Sequence, residues 1–344
     1  MNELSQLIEE SATRLFEGFA TEKSYQTMES GQFPTASWQD FVSDGWLRTA
    51  LTEEQGGAGL GLAGSFILMR LAGYHAVPLP IAESLIATYL AASSGVDIED
   101  ELLVPAIVSQ PFESSADLVL SNVPWARHAA GVLVVFQRAN QLHTVIIKQA
   151  DLSISIHHNM AGEARDEITI KPKQLEVSNQ LNGVTIEQIN SWLALSRAAQ
   201  ISGALHKVLQ RTVDYANERS QFGRQIGKFQ AVQQQLAVQA EMTSASICAV
   251  DAAIAHLGGE QEWELIACAK ITCSEAAGYA AKTAHAVHAA IGFTQEYPLQ
   301  LSTRRLWSWR DEYGNEAHWS AKLGRHCLQL GNDDLWSWLT TQTT

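Results

Sequence analysis

Apolar residues recur at helical spacing at both ends of the chain and at strand spacing in its middle. Leu4, Ile8, Leu15 and Phe16 fall on one face of an opening acidic helix. A glycine-rich break, TEEQGGAGLGLAG from Thr52 to Gly64, precedes a second apolar helix, SFILMRLAGYHA. Pro78 and Pro80 stop that helix, and IAESLIATYLAASSG begins another. The pattern changes after about residue 102. GVLVVFQ (131–137) and LHTVIIK (142–148) are β-branched runs joined by the turn-like RANQ. LSISI, from Leu152, alternates as a strand with one buried face does, and EITI, from Glu167, is a further short strand. Helical spacing returns near residue 185, with Ile201, Leu205, Leu209, Val213 and Ala216 on one face. Alanine-rich helix then continues through CAKITCSEAAGYAAKTAHAVHAA.

These patterns predict a mainly α protein with a small β domain. The expected order is a helical domain over 1–102, a short, β-barrel-like domain over 103–184 and a four-helix bundle over 185–344. Hydrophobic residues make up 46% of the 344, enough for a large core, and charged residues only 17%, too few for a disordered chain. The net charge of −14 argues against a nucleic-acid partner, which needs clustered Lys and Arg. The acidic amphipathic N-terminus lacks a signal-peptide pattern, and no apolar run reaches the roughly 20 residues of a membrane span. A cytoplasmic protein with no membrane association is expected. Cys248, Cys268, Cys273 and Cys327 show no metal-ligand spacing and read as reduced cysteines, mostly of helix cores, with no metal.

The run RSQFGRQIGKFQ, Arg219 to Gln230, lies in a polar break between two apolar-periodic segments. It holds two arginines and two glycines. Two uses fit it: a solvated loop between helices, or a loop that grips an anionic or amide-rich ligand.

The run resembles a loop of the acyl-CoA dehydrogenase family, and other segments share the likeness. DGWLRTALTEEQGGAGLGL (44–62) and HAVPLPIAES (75–84) are similar to N-terminal family motifs, and HAAIGFTQEYPLQLSTRR (288–305) to a C-terminal one. The resemblance implies α,β-dehydrogenation of an acyl-CoA by FAD, with an electron-transferring flavoprotein as acceptor. A carboxylate base takes the α-proton and the β-hydride goes to the flavin. By resemblance, Arg219 contacts the FAD pyrophosphate, Gln221 and Phe222 shape that pocket, and Gln230 meets the adenine end. His288 and Gly292 belong to a second flavin element. In the family the Arg loop serves a flavin lodged mainly in a neighbouring subunit, so a dimer or tetramer with itself or a related chain is implied.

The chain departs from the family pattern at four places. Ala286, Ala289 and Ala290 stand where the family has Gln, Gly and Gly. Ser109-Gln110-Pro111 is only an echo of the flavin-contacting Thr/Ser-Glu-Pro segment. Tyr313 occupies the place of one family base, with Asp311, Glu312 and Glu316 nearby, and the alternative base region, SWLALSRAAQ (191–200), has no acid. The catalytic base is therefore unassigned. Three roles stay open: a subunit lending flavin-binding residues to a base-bearing partner, a homomeric enzyme with a relocated base such as Glu312, or an inactive scaffold. Trp307, Trp309 and Trp319 are read as core or interface residues rather than pocket lining.

Overall fold

The structure, a computed structural model, describes residues 3–96, 98–110 and 116–341. The chain forms two compact units, 1–193 and 194–344.

The first unit opens with five helices: α1 (Glu3–Phe19), α2 (Glu22–Glu29), α3 (Thr35–Ser43), α4 (Gly61–Tyr74) and α5 (Ile81–Ser93). Thr21 starts α2 by accepting the Ser24 N–H on its hydroxyl. Phe16, Phe41, Phe66, Leu85 and Leu90 are buried, and nearly every residue of α5 is inside. The buried set includes the polar Glu83, Ser84 and Thr88. Arg48 fastens the glycine-rich break to the chain beyond α5, donating to the Gln55 carbonyl, the Ile98 carbonyl and Asp100.

Seven strands follow in two open sheets: β1 (Leu103–Ile107), β2 (Leu118–Pro124), β3 (Gly131–Arg138), β4 (Gln141–Lys148), β5 (Ser153–Ser155), β6 (Arg165–Ile170) and β7 (Asn179–Leu181). One sheet has the order β1-β3-β4-β7 and the other β2-β6-β5. The predicted runs at 131–137 and 142–148 are the β3–β4 hairpin, paired from Gly131–Lys148 to Arg138–Gln141. Its turn residues, Ala139 and Asn140, both have positive φ, as a two-residue hairpin turn of matching twist requires. The LSISI run forms only the three-residue β5, and Ile156 is exposed rather than buried, because pairing to β6 ends at Ser155.

A buried ionic group joins α5 to β6. Arg165 pairs with Glu163 at 2.9 Å and with Glu83 at 3.8 Å. Beside it, the fully buried Asp166 accepts the backbone N–H of Arg127 and of His157.

The helices of the second unit continue from α6 (Ile186–Glu218), whose first residues belong to the first unit. Thr185 caps its start by accepting the Gln188 N–H. A small hairpin, β8 (Ser220–Gln221) and β9 (Arg224–Gln225), leads into α7 (Gln230–Ala255), α8 (Glu262–His288), α9 (Leu299–Asp311) and α10 (Glu316–Thr341). Alanines fill the buried face of α8, which lets α7 lie close against it. Among the described residues no helix is long and apolar enough to cross a membrane. Cys273 is buried, Cys268 and Cys327 are half-buried, and Cys248 is exposed, so the expected core placement fails for Cys248.

Candidate functional site

The Arg219–Gln230 run is not a slack loop. Ser220 pairs with Gln225 and Gln221 with Arg224, leaving Phe222 and Gly223 as a two-residue turn with φ of +53° and +80°. Glycine is at ease there, whereas phenylalanine is strained. Phe222 is 92% exposed, so packing does not repay that strain within this chain. The Arg219 N–H donates to the Tyr215 carbonyl at 2.9 Å, and the Arg219 carbonyl accepts from the Ile226 N–H at 2.8 Å. The backbone is thus pinned on both sides, while the exposed Arg219 guanidinium has no partner among the described residues. Arg224 lies 4.2 Å over the Phe229 ring, and Phe229 meets Phe222 edge-on. Gln221 and Gln230 are exposed. From Arg219 to Gln230 there are three cations and no acid, in a chain of net charge −14. The hairpin is a local anion-attracting feature on an anionic molecule.

His288 and Gly292 sit at the end of α8 and in the turn after it. His288 is buried, with Nδ1 against the Ala284 carbonyl at 2.8 Å, Nε2 against the Tyr297 hydroxyl at 3.1 Å, and its ring stacked on Tyr215. Burial holds its pKa below the usual histidine range. Both ring nitrogens are engaged, so His288 acts here as a packed neutral residue. Gly292 is buried because a Cβ would come within 3.0 Å of the His288 Cβ and 3.2 Å of His285 Nδ1. Between them, Ala289 adopts φ +54° and ψ −139°, a glycine-type conformation held by an alanine.

The segment around Tyr313 is closed by charge pairs. Arg197, 1% exposed on α6, donates from Nε to Glu312 at 2.6 Å, donates to Gln200, and lies over the Tyr313 ring. Arg310 and Glu316 pair across the turn between α9 and α10, which raises the arginine pKa and lowers the glutamate's. Lys270, wholly buried on α8, donates to the carbonyls of Trp309 (3.0 Å) and Arg310 (2.7 Å), capping the last turn of α9. Loss of hydration lowers its pKa to about 8. Trp309 and Trp319 are core residues and Trp307 is partly exposed. Sequence reasoning missed Arg197 and Lys270. The one available signal was a lysine amid the alanines and cysteines of CAKITC.

Within the first unit, a cavity of about 470 Å³ opens between the β3–β4 turn, β7 and the start of α6. Five carboxamides line it: Gln137, Asn140, Gln141, Gln180 and Asn182. Ser109, Thr185 and Glu187 add hydroxyls and one carboxylate, and no Lys or Arg is present in the lining. Ser109 and Gln110 of the Ser-Gln-Pro echo are described, while Pro111 lies outside the described residues.

Comparison with known proteins matches both helical parts of the chain to one family. The acyl-CoA dehydrogenase N-terminal domain model matches residues 2–109 and the C-terminal domain model residues 184–310, together more than half of the chain. The acyl-CoA dehydrogenase IpdE2 of Mycolicibacterium smegmatis is 26% identical over 337 residues, covering 94% of this chain and 95% of that protein. IpdE2 of Mycobacterium tuberculosis is 34% identical over 146 residues, covering 42% of this chain and 41% of that protein. Among solved structures, the ChsE4–ChsE5 complex of Mycobacterium tuberculosis has a TM-score of 0.85 at 19% identity, covering 96% of this chain and 99% of that one. PigA, solved with FAD and proline, has a TM-score of 0.80 at 16% identity, with 96% and 99% coverage. At these identities the structural matches establish the fold.

Proposed function

The chain belongs to the acyl-CoA dehydrogenase family, and from that premise we propose that it serves the α,β-dehydrogenation of an acyl-CoA thioester as a subunit lending flavin-holding residues to a related, base-bearing chain. The observation that carries this reading is the Arg219 hairpin. Its backbone is fixed, its guanidinium is exposed and has no partner among the described residues, and no acid in the run competes for it. A guanidinium fork suits diphosphate oxygens. Arg219 would hold the FAD pyrophosphate, with Gln221 and Phe222 shaping that pocket and Gln230 at the adenine end. FAD, when bound, supplies the hydride acceptor, and an electron-transferring flavoprotein would reoxidise it.

The second flavin element fits less well. His288 has both ring nitrogens satisfied internally, and the Ala289 methyl stands where a backbone would approach a phosphate. This supports a division of labour in which another chain supplies most of the flavin site. The charge pairs also favour a lender over a self-sufficient enzyme. Glu312, the acid nearest the family base position, is tied to the buried Arg197, and freeing it would break that buried ion pair.

The test is co-expression with a base-bearing relative, reading bound flavin from its absorption near 450 nm and its bleaching by acyl-CoA. The pair should carry more flavin than either chain alone, and Arg219→Ala should lower that content. If the pair holds no more flavin than the separate chains, the subunit role is wrong.

A further inference from the structure

Two thiols, Cys268 on α8 and Cys327 on α10, sit where these helices pack against each other. Their neighbours fix the register. Glu264 Oε1 lies 3.7 Å from His326 Nε2, the Trp263 ring meets the His326 ring edge-on at 5.2 Å, and the Lys322 ammonium lies 4.9 Å over Trp263. Cys268 stands four residues after Glu264, one helical turn on along the same face. Cys327 directly follows His326. The sulfurs are close enough that charge on Cys327 opposes charge on Cys268. Both are half-buried, so a small solute reaches them. The other cysteines are placed differently. Cys273 is buried, with its Sγ donating to the Ala198 carbonyl at 3.5 Å, and Cys248 is exposed on α7.

We propose that Cys268 and Cys327 form a redox lock, a disulfide that fastens α10 to α8 when a low-molecular-weight disulfide such as oxidised glutathione is in excess. The step balances as two thiol–disulfide exchanges. The Cys327 thiolate attacks the oxidant, breaks its S–S bond, forms a mixed disulfide and releases one small thiolate. Cys268 then gives up its proton and attacks the Cys327 sulfur, which closes the protein bond and releases the second thiolate. Two protein thiols are oxidised, the oxidant is reduced to two thiols, and the two protons go with them. Burial, then the charges of Cys327 and Glu264, pushes the Cys268 thiol up. That assigns Cys268 the second, intramolecular attack, where nearness of the target offsets a scarce thiolate. It also makes Cys268 a poor leaving group, so the closed bond resists reopening. The bond closes a loop of roughly 60 residues, which removes freedom from the unfolded chain. Oxidation thus turns a helix held here by the Glu264–His326 contact and ring contacts into one tied by a covalent bond.

Incubation of the full chain with excess oxidised glutathione, followed by non-reducing peptide mapping, whole-protein mass and thermal unfolding, tests this. Mapping should find Cys268 joined to Cys327, with glutathione itself only on the exposed Cys248. In Cys248→Ser the protein mass should fall by two hydrogens. The thermal midpoint should rise by about 5 °C or more and return with dithiothreitol. Cys268→Ser should stop at a glutathione adduct on Cys327 and show no rise. Both thiols staying free in the unsubstituted chain, either one holding glutathione without closing the bond, or closure with no rise in midpoint would overturn the lock. Those outcomes are read on the unsubstituted chain, so a variant that fails to fold does not shelter the proposal.

Discussion

Ala289 offers a test of how much strain a left-handed backbone stores at a residue with a Cβ. It sits at φ +54° and ψ −139° and is exposed, so its methyl group makes no core contact that glycine would lose. Holding a residue with a Cβ in such a region costs on the order of 1–3 kcal/mol. Glycine removes that strain but gives back about 0.4–1 kcal/mol through the greater freedom of its unfolded chain. Ala289→Gly should therefore stabilise the protein by about 1–2 kcal/mol. Ala290, its neighbour in the same turn, has no positive φ. Ala290→Gly incurs the entropic cost without relief and should destabilise by about 0.5–1 kcal/mol. Two identical chemical changes at adjacent positions thus have opposite signs. In thermal unfolding followed by circular dichroism, Ala289→Gly should raise the midpoint by about 2–6 °C and Ala290→Gly should lower it. A midpoint for Ala289→Gly at or below that of the parent would refute the strain argument.

Lys270 predicts a pH dependence. Below about pH 8 the amine is charged in both folded and unfolded chains, and the folded state bears the full desolvation cost. Between about 8 and 10.5 the folded chain releases the proton while the unfolded chain keeps it, so stability from this group rises with pH, by on the order of 3 kcal/mol. Denaturant titrations over that window should show the rise in the parent and not in Lys270→Met. Gln239 is fully buried on α7 with neither amide atom hydrogen-bonded among the described residues. Gln239→Met, similar in volume, should gain about 1–3 kcal/mol in chemical denaturation. Arg197→Ala removes the buried ion pair to Glu312 and opens a hole beside Tyr313, so it should lose about 3–5 kcal/mol by the same measurement.

The overall architecture was legible where the spacing of apolar residues was unbroken. β3 and β4 announced themselves by β-branched runs on either side of the RANQ turn, and α5 by the prolines at 78 and 80 that precede it. β2 was not legible, because LVLSNVP carries a bulge between Leu120 and Val123 that breaks the period of two. The Arg219 hairpin was visible as a polar break, but the backbone bonds that stiffen it were not. Arg197 and Glu312 lie 115 residues apart, and no local pattern foretells their meeting. The cavity was equally hidden: its carboxamides come from two stretches, 137–141 and 180–182, about 40 residues apart, and only the fold gathers them.

The bend bearing Phe222 also governs the fate of any copy that stays single. Peptide bonds after Arg219, Arg224 and Lys228 all follow exposed basic residues, within the reach of a trypsin-like protease. Nicking there would sever α6 from α7 and divide the helical unit in two. Whatever covers this bend therefore shields the molecule from digestion, and brief protease treatment separates covered from uncovered copies without reference to catalysis.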